Sequence, residues 1–207
     1  MAQKTQHNSV VMLIYQWYIR HDYEPSKPSR NMISKRRLLV DGLLLSTLFS
    51  VVAVGSLSID PTIWLENYPP DVRAAVADSI EPPVILQALV GVILVVLMFG
   101  GLIWSLKRLD RELGGIGFLA ATLHIFLIFW IINATDVLVV DWLFFMTLLR
   151  SWIVLPGTEG LAGYDDYWFH FRESFLTLTP WIGCLVLSLG MGAGWWRFVT
   201  RRRAEQR

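Results

Sequence analysis

Three side chains capable of binding a metal lie close together near the C-terminal third of the chain. Asp166, His170 and Glu173 are spaced four and three residues apart, so a helix would place all three on one face. Two carboxylates and an imidazole can bind a divalent metal such as zinc, iron or manganese. The alternative is an ordinary juxtamembrane segment, whose charged and aromatic side chains lie at the headgroup level. No established motif such as HExxH supports the metal site, so it is a prediction from side-chain chemistry alone.

Two further carboxylates, Asp136 and Asp141, are candidates to complete that metal site. A carboxylate within an apolar run is costly and therefore suggests a function. Asp141 has apolar neighbours on both sides and needs a partner. Arg150 is nine residues away, which places it on the opposite side of an α-helix. The remaining candidate partners are Arg172, His170 and His124.

His124 lies in the middle of the apolar run FLAATLHIFLIFW. A histidine at this depth could ligate a haem, the magnesium of a chlorin pigment or a metal, or carry a proton. Ala120, one helical turn earlier, would leave room for a flat macrocycle. The favoured alternative is a hydrogen bond with a neighbouring helix or residue, from Gln87, Thr122 or a backbone carbonyl.

Other site chemistry finds little support. The single cysteine, Cys184, excludes an intramolecular disulfide and a multi-cysteine zinc cluster. There is no GxSxG motif for a serine hydrolase. Small residues within apolar runs predict close helix packing, inside the bundle or between copies and other subunits. The glycines concerned are Gly190, Gly194, Gly100 and Gly101.

The elements that would position these residues are membrane-spanning helices. The 207 residues are 54% hydrophobic and only 17% charged, and the apolar residues form long runs. A span needs about 20 mostly apolar residues. We therefore predict an all-α polytopic bundle with four spans, at about 38–57, 84–106, 116–135 and 174–196, in a transmembrane region covering 38–196.

The distribution of charge predicts the orientation of these spans. Most basic residues lie in 1–37, 107–115 and 197–207, and four spans place all three regions on the same side. The positive-inside bias then predicts a multi-pass protein of the cell membrane with cytoplasmic N and C termini. A fifth span over 137–155 would move the basic tail outside. Because the basic residues separate by topology, no nucleic-acid partner is expected.

The segments outside the spans have distinct predicted roles. Residues 1–37 form a cytoplasmic segment whose apolar stretch 10–19 suits a helix lying in the membrane interface. Residues 136–173 form an outer-face segment, with a re-entrant or interfacial helix packed on the bundle. Residues 197–207 form a basic cytoplasmic tail.

The leading functional hypothesis is a non-catalytic accessory or assembly subunit of a membrane complex, in contact with the lipid bilayer. It rests on the absence of a soluble domain and on the aromatic and glycine-rich helix surfaces. The first alternative is a membrane metalloenzyme with an outer-face carboxylate and histidine site. The second is a pigment- or haem-binding subunit that uses His124.

Overall fold

A computed structural model describes residues 34–205, apart from the side chain of Arg203. The predicted interfacial helix over 10–19 lies outside these residues. Within the described range every regular element is helical. In chain order the elements are α1 (Lys35–Ile59), a 3₁₀ helix (Pro61–Asn67), α2 (Pro70–Val76), α3 (Val84–Leu113), α4 (Phe118–Thr135), a π-helix (Asp136–Leu148), α5 (Arg150–Ile153), a short 3₁₀ helix (Ala162–Asp165), α6 (Tyr167–Phe175) and α7 (Leu178–Glu205).

Four helical segments are long and apolar enough to cross a membrane: Lys35–Ile59, Val84–Leu113, Phe118–Leu148 and Tyr167–Arg202. The prediction of an all-α membrane bundle with four spans is therefore confirmed. The helices extend beyond the predicted apolar runs into the charged residues that flank them.

The third span differs from its predicted end at residue 135. α4 continues without a break into the π-helix, and together they form one helix of 31 residues. No glycine or proline lies between Thr135 and Leu149, so the backbone stays helical and only its hydrogen-bond pattern widens to five residues. Residues 136–148 therefore continue the helix of the third span and do not form a separate re-entrant or interfacial helix.

Successive spans run in opposite directions, so the connections between them fall alternately at two chemically different ends of the bundle. The basic end carries residues 35–37, 107–111 and the end of α7. The acidic end carries the connections 60–83 and 149–177. α4 lies centrally between α1 and α7, whereas α3 stands at the side. Between Val84 and Gly101 only Val90 of α3 is buried, so the N-terminal half of this helix has a largely exposed apolar surface.

Glycines allow close approach at three crossings. A Cβ at Gly42 would overlap Ile131, one at Gly101 would overlap Leu45, and one at Gly192 would overlap Thr122. Gly101 is thus used inside the bundle, which is the first of the two roles predicted for these glycines. The other glycines predicted at that surface, Gly100, Gly190 and Gly194, have open space at the Cβ position.

The acidic end is closed by a folded cap, which consists of the connections 60–83 and 149–177. The sequence indicates this region only as loops and an interfacial segment. Tyr68 and Tyr164 are fully buried there, among apolar residues of α1, α2 and the π-helix. The Tyr68 hydroxyl donates to the Ile153 carbonyl at 2.9 Å, and the Leu155 amide donates to the Tyr164 hydroxyl at 3.0 Å. Burial raises the pKa of Tyr68 far above its usual range, so its hydroxyl remains a donor.

Candidate functional site

A buried polar cluster near the basic end joins three spans. The Ser105 hydroxyl of α3 donates to Oδ2 of Asp41 on α1 at 2.6 Å, and it lies 2.7 Å from Nε2 of His124 on α4. All three side chains are completely buried. The chain of contacts runs Asp41–Ser105–His124 and links α1, α3 and α4.

This geometry determines the tautomer of His124. A serine hydroxyl has a single proton, and Ser105 gives it to Asp41. The contact with His124 therefore requires that Nε2 carries the proton and donates to the Ser105 oxygen. Nδ1 then holds a lone pair, and it has no hydrogen-bond partner among the described residues.

Two arginines balance the buried charge of Asp41. Nη1 of Arg108 donates to Oδ1 at 3.0 Å, and Nε of Arg37 lies 3.6 Å from Oδ2. Arg37 also contacts Glu112 on α3 and is itself buried, whereas the Arg108 side chain is 40% exposed. Two cations and two anions thus compensate each other, which is the condition under which ions persist away from water.

His124 contacts a neighbouring helix, as the hydrogen-bond alternative predicts. Its side chain has no exposed surface, and Nε2 lies against the Ser105 hydroxyl. The expected partners were wrong: Gln87 donates instead to the Ile63 carbonyl at 3.0 Å, and Thr122 lies against Gly192. Ser105 is the partner.

A second polar cluster lies at the acidic end, where Asp141 meets His170. Nδ1 of His170 is 3.4 Å from Oδ2 of Asp141, which identifies the partner of Asp141 among the three candidates. Asp136 lines the same small cavity of about 50 Å³, together with Phe49, Ala53, Leu57, Trp64, Asn67, Val140 and Phe145. Nε2 of His170 has no partner among the described residues although the side chain is only 6% exposed. The cavity is large enough for water, which needs about 10–15 Å³ measured in this way.

The π-helix explains why two carboxylates reach one cavity. In an α-helix, residues five apart differ by about 140° in direction. In a π-helix the hydrogen bonds join residues five apart, so such residues lie on the same side one turn apart. Asp136 and Asp141 are related in this way. The widened helix therefore aligns them with His170, which α6 supplies from the cap.

The predicted ligand set of Asp166, His170 and Glu173 does not assemble. The Asp166 side chain caps α6 by accepting from the Phe169 amide at 2.9 Å, and Glu173 lies 3.4 Å from Nε of Arg172. Of the five proposed ligands, only His170, Asp141 and Asp136 line a common cavity. Among residues 34–205 no group of three or more histidine, cysteine or acidic side chains is placed to hold a metal ion.

Sequence reasoning missed the residues at the centre of the basic-end cluster. The predicted site residues include none of Asp41, Ser105 and Arg108. A usable signal was present: Ser105 and Arg108 are three residues apart, on one face of α3, at the depth where Asp41 and His124 also lie. A buried aspartate on one helix needs hydrogen-bond donors from a neighbouring helix, and Ser105 and Arg108 provide them.

Comparisons with models of protein families, with curated proteins and with solved structures found no match to this chain. The two polar clusters and the surfaces of the bundle are therefore the basis for assigning a function.

Proposed function

We propose that this chain is a non-catalytic protein of the cell membrane, with both termini in the cytoplasm, that acts as an accessory or assembly subunit of a membrane complex. The observation that carries this proposal is the use of its intramembrane polar groups. Asp41, Ser105 and His124 bond to one another across three helices, so they hold the bundle together instead of facing a substrate.

The size of the acidic-end cavity supports the same proposal. Sites for small molecules usually have volumes of about 300–1,000 Å³, whereas the cavity beside His170 and Asp141 encloses about 50 Å³. It has room for water and not for an organic substrate. This cluster therefore fits a structural pair with a hydrated neighbour better than a catalytic centre.

The surface of α3 supports contact with another membrane protein. Val92, Val96 and Gly100 follow each other at four-residue intervals on its exposed side, with exposures of 60% and 66% for the two valines. A Cβ at Gly100 would meet nothing within 4 Å. A glycine on an open apolar stripe allows a second helix to approach closely.

Native electrophoresis of the tagged protein in a mild detergent tests this proposal. We expect a species larger than the monomer, and we expect Gly100→Leu to dissociate it because the added side chain fills the contact. Gly55→Leu is the matched control, since Gly55 is also exposed with open space around it. A monomeric wild type without copurifying protein would overturn the proposal. So would stoichiometric metal that is lost in His170→Ala, which would support the metalloenzyme alternative.

The orientation has its own test. Single cysteines at Ser79, in the acidic-end cap, and at Thr200, at the basic end, are introduced into a Cys184→Ser chain. A membrane-impermeant maleimide is then added to intact cells. We expect labelling at position 79 immediately and at position 200 only after permeabilisation. The reverse pattern would contradict cytoplasmic termini.

A further inference from the structure

An apolar groove runs between α3 and α7 towards the basic end. It encloses about 370 Å³, with Phe99, Ile103 and Leu106 on one wall and Met191, Trp195 and Phe198 on the other. Gly194 lies in the same lining, and a Cβ there would meet nothing within 4 Å. The volume is within the range of small-molecule sites, and the walls offer almost no polar group.

A basic cavity continues this groove at the end of the bundle. It encloses about 420 Å³ and shares Lys107, Trp195 and Phe198 with the apolar groove. Arg111 and Arg202 add two more cations. The guanidinium of Arg202 stands 4.5 Å from the centre of the Phe198 ring, which places it at the junction of the two cavities.

The cations of this cavity are not neutralised within the part of the chain that the structure describes. No ion pair there involves Lys107, Arg111 or Arg202. The one carboxylate in the lining belongs to Asp110. It accepts a hydrogen bond from the Ile116 amide at 2.9 Å, which fixes it against the loop that precedes α4. Three cations and one carboxylate give the lining of this cavity a net positive charge, which suits an anionic ligand.

We propose that these two cavities form one binding site for an anionic phospholipid of the leaflet at the basic end. The phosphate lies among Lys107, Arg111 and Arg202, and an acyl chain follows the groove beside Ile103 and Gly194. Phe99 is eight residues from Lys107, so the groove reaches about 12 Å inward along the helix. The apolar groove behind the cations favours a lipid over free phosphate, because free phosphate would occupy only the basic cavity.

Two kinds of variant distinguish the contribution of the lipid headgroup to binding from that of the acyl chain. The purified protein is incubated with phosphatidylglycerol or phosphatidylcholine, and the lipid retained is counted by native mass spectrometry. We expect wild type to prefer phosphatidylglycerol. Lys107→Gln and Arg202→Gln each lower retention of phosphatidylglycerol roughly fivefold, because one charge is removed near the headgroup, and they lower retention of phosphatidylcholine less, because its choline offsets the charge of its phosphate. Gly194→Leu lowers the retention of both lipids because it fills the groove.

Matched controls make the outcome decisive. Arg197→Gln removes an exposed charge from the same helix outside both linings, and Gly183→Leu adds bulk at another open position of α7. Neither is expected to change lipid retention. The proposal is overturned by equal retention of the two lipids, by an Arg197→Gln effect as large as that of Arg202→Gln, or by inorganic phosphate displacing the lipid completely. Crosslinking from Ile103 to a copurified protein instead of lipid would also overturn it.

Discussion

Replacement of Asp41 by alanine should destabilise the bundle more than any loss of a surface charge. The variant leaves Arg37 and Arg108 without their shared anion and deprives Ser105 of its acceptor. Breaking a buried ion pair costs about 3–5 kcal/mol when one charge is left uncompensated. Arg37 keeps Glu112, and Arg108 is 40% exposed and can turn towards water. We therefore expect a loss of about 2–4 kcal/mol.

The single cysteine provides a direct assay. Cys184 is completely buried, so a thiol-reactive fluorogenic dye reacts only when the bundle opens. For a chain of this length, 1 kcal/mol corresponds to about 2–4 °C in Tm. Asp41→Ala should consequently lower the Tm by roughly 4–16 °C. Ser105→Ala should cost less, about 1 kcal/mol, because it removes one interhelical link and no charge.

Asp78→Ala is the control, since Asp78 is exposed and forms no ion pair within residues 34–205. The double variant Asp41→Ala/Ser105→Ala completes a cycle, and coupling is expected because the two side chains are in contact. A Tm for Asp41→Ala within about 2 °C of the Asp78→Ala value would refute the reasoning. It would mean that the Asp41 cluster is not a structural link between the three helices.

Two other predictions also concern the Tm, the first measured with the same dye and the second by tryptophan fluorescence, because a protonated thiol does not react with the dye at acid pH. Gly192→Ala should lower the free energy of unfolding by about 1–3 kcal/mol through overpacking, because its Cβ would overlap Thr122. Gly190→Ala is the control, since this position is open and the substitution should have almost no effect. Equal Tm values for the two variants would contradict the close crossing of α4 and α7. The hydrogen bond from Arg150 lowers the pKa of Asp165, so this carboxylate stabilises the fold above its ordinary pKa and loses that contribution as the pH falls through the lowered value. Acidification from about pH 5 to about pH 3 should therefore reduce the Tm of wild type more than that of Asp165→Asn, and parallel curves would contradict the pair.

The number of spans could be predicted because a bilayer constrains a sequence strongly. Each span must supply a long apolar run, and the four runs coincide with the four long helices. The separation of basic from acidic connections likewise predicted two different ends. These features depend on composition over many residues, so no knowledge of side-chain contacts was needed.

The polar clusters could not be predicted in the same way. The spacing of an α-helix does not apply beyond Thr135, where the backbone is a π-helix. This change brings Asp136 and Asp141 to one side. The metal hypothesis also assumed that Asp166 was free, whereas it caps α6. A cap or a widened turn depends on local hydrogen bonding that a count of residues does not capture.

The π-helix makes the acidic-end cluster depend on the hydrogen-bond spacing of the backbone as well as on residue identity. Deletion of one residue near Val139 would allow the hydrogen bonds to return to four-residue spacing, and Asp136 and Asp141 would then be four residues apart, one turn along an α-helix and on the same side. The pairing of carboxylate with imidazole would therefore be kept in a chain that is one residue shorter. A return to four-residue spacing without a deletion would instead turn Asp141 away from Asp136 by about 140° about the helix axis.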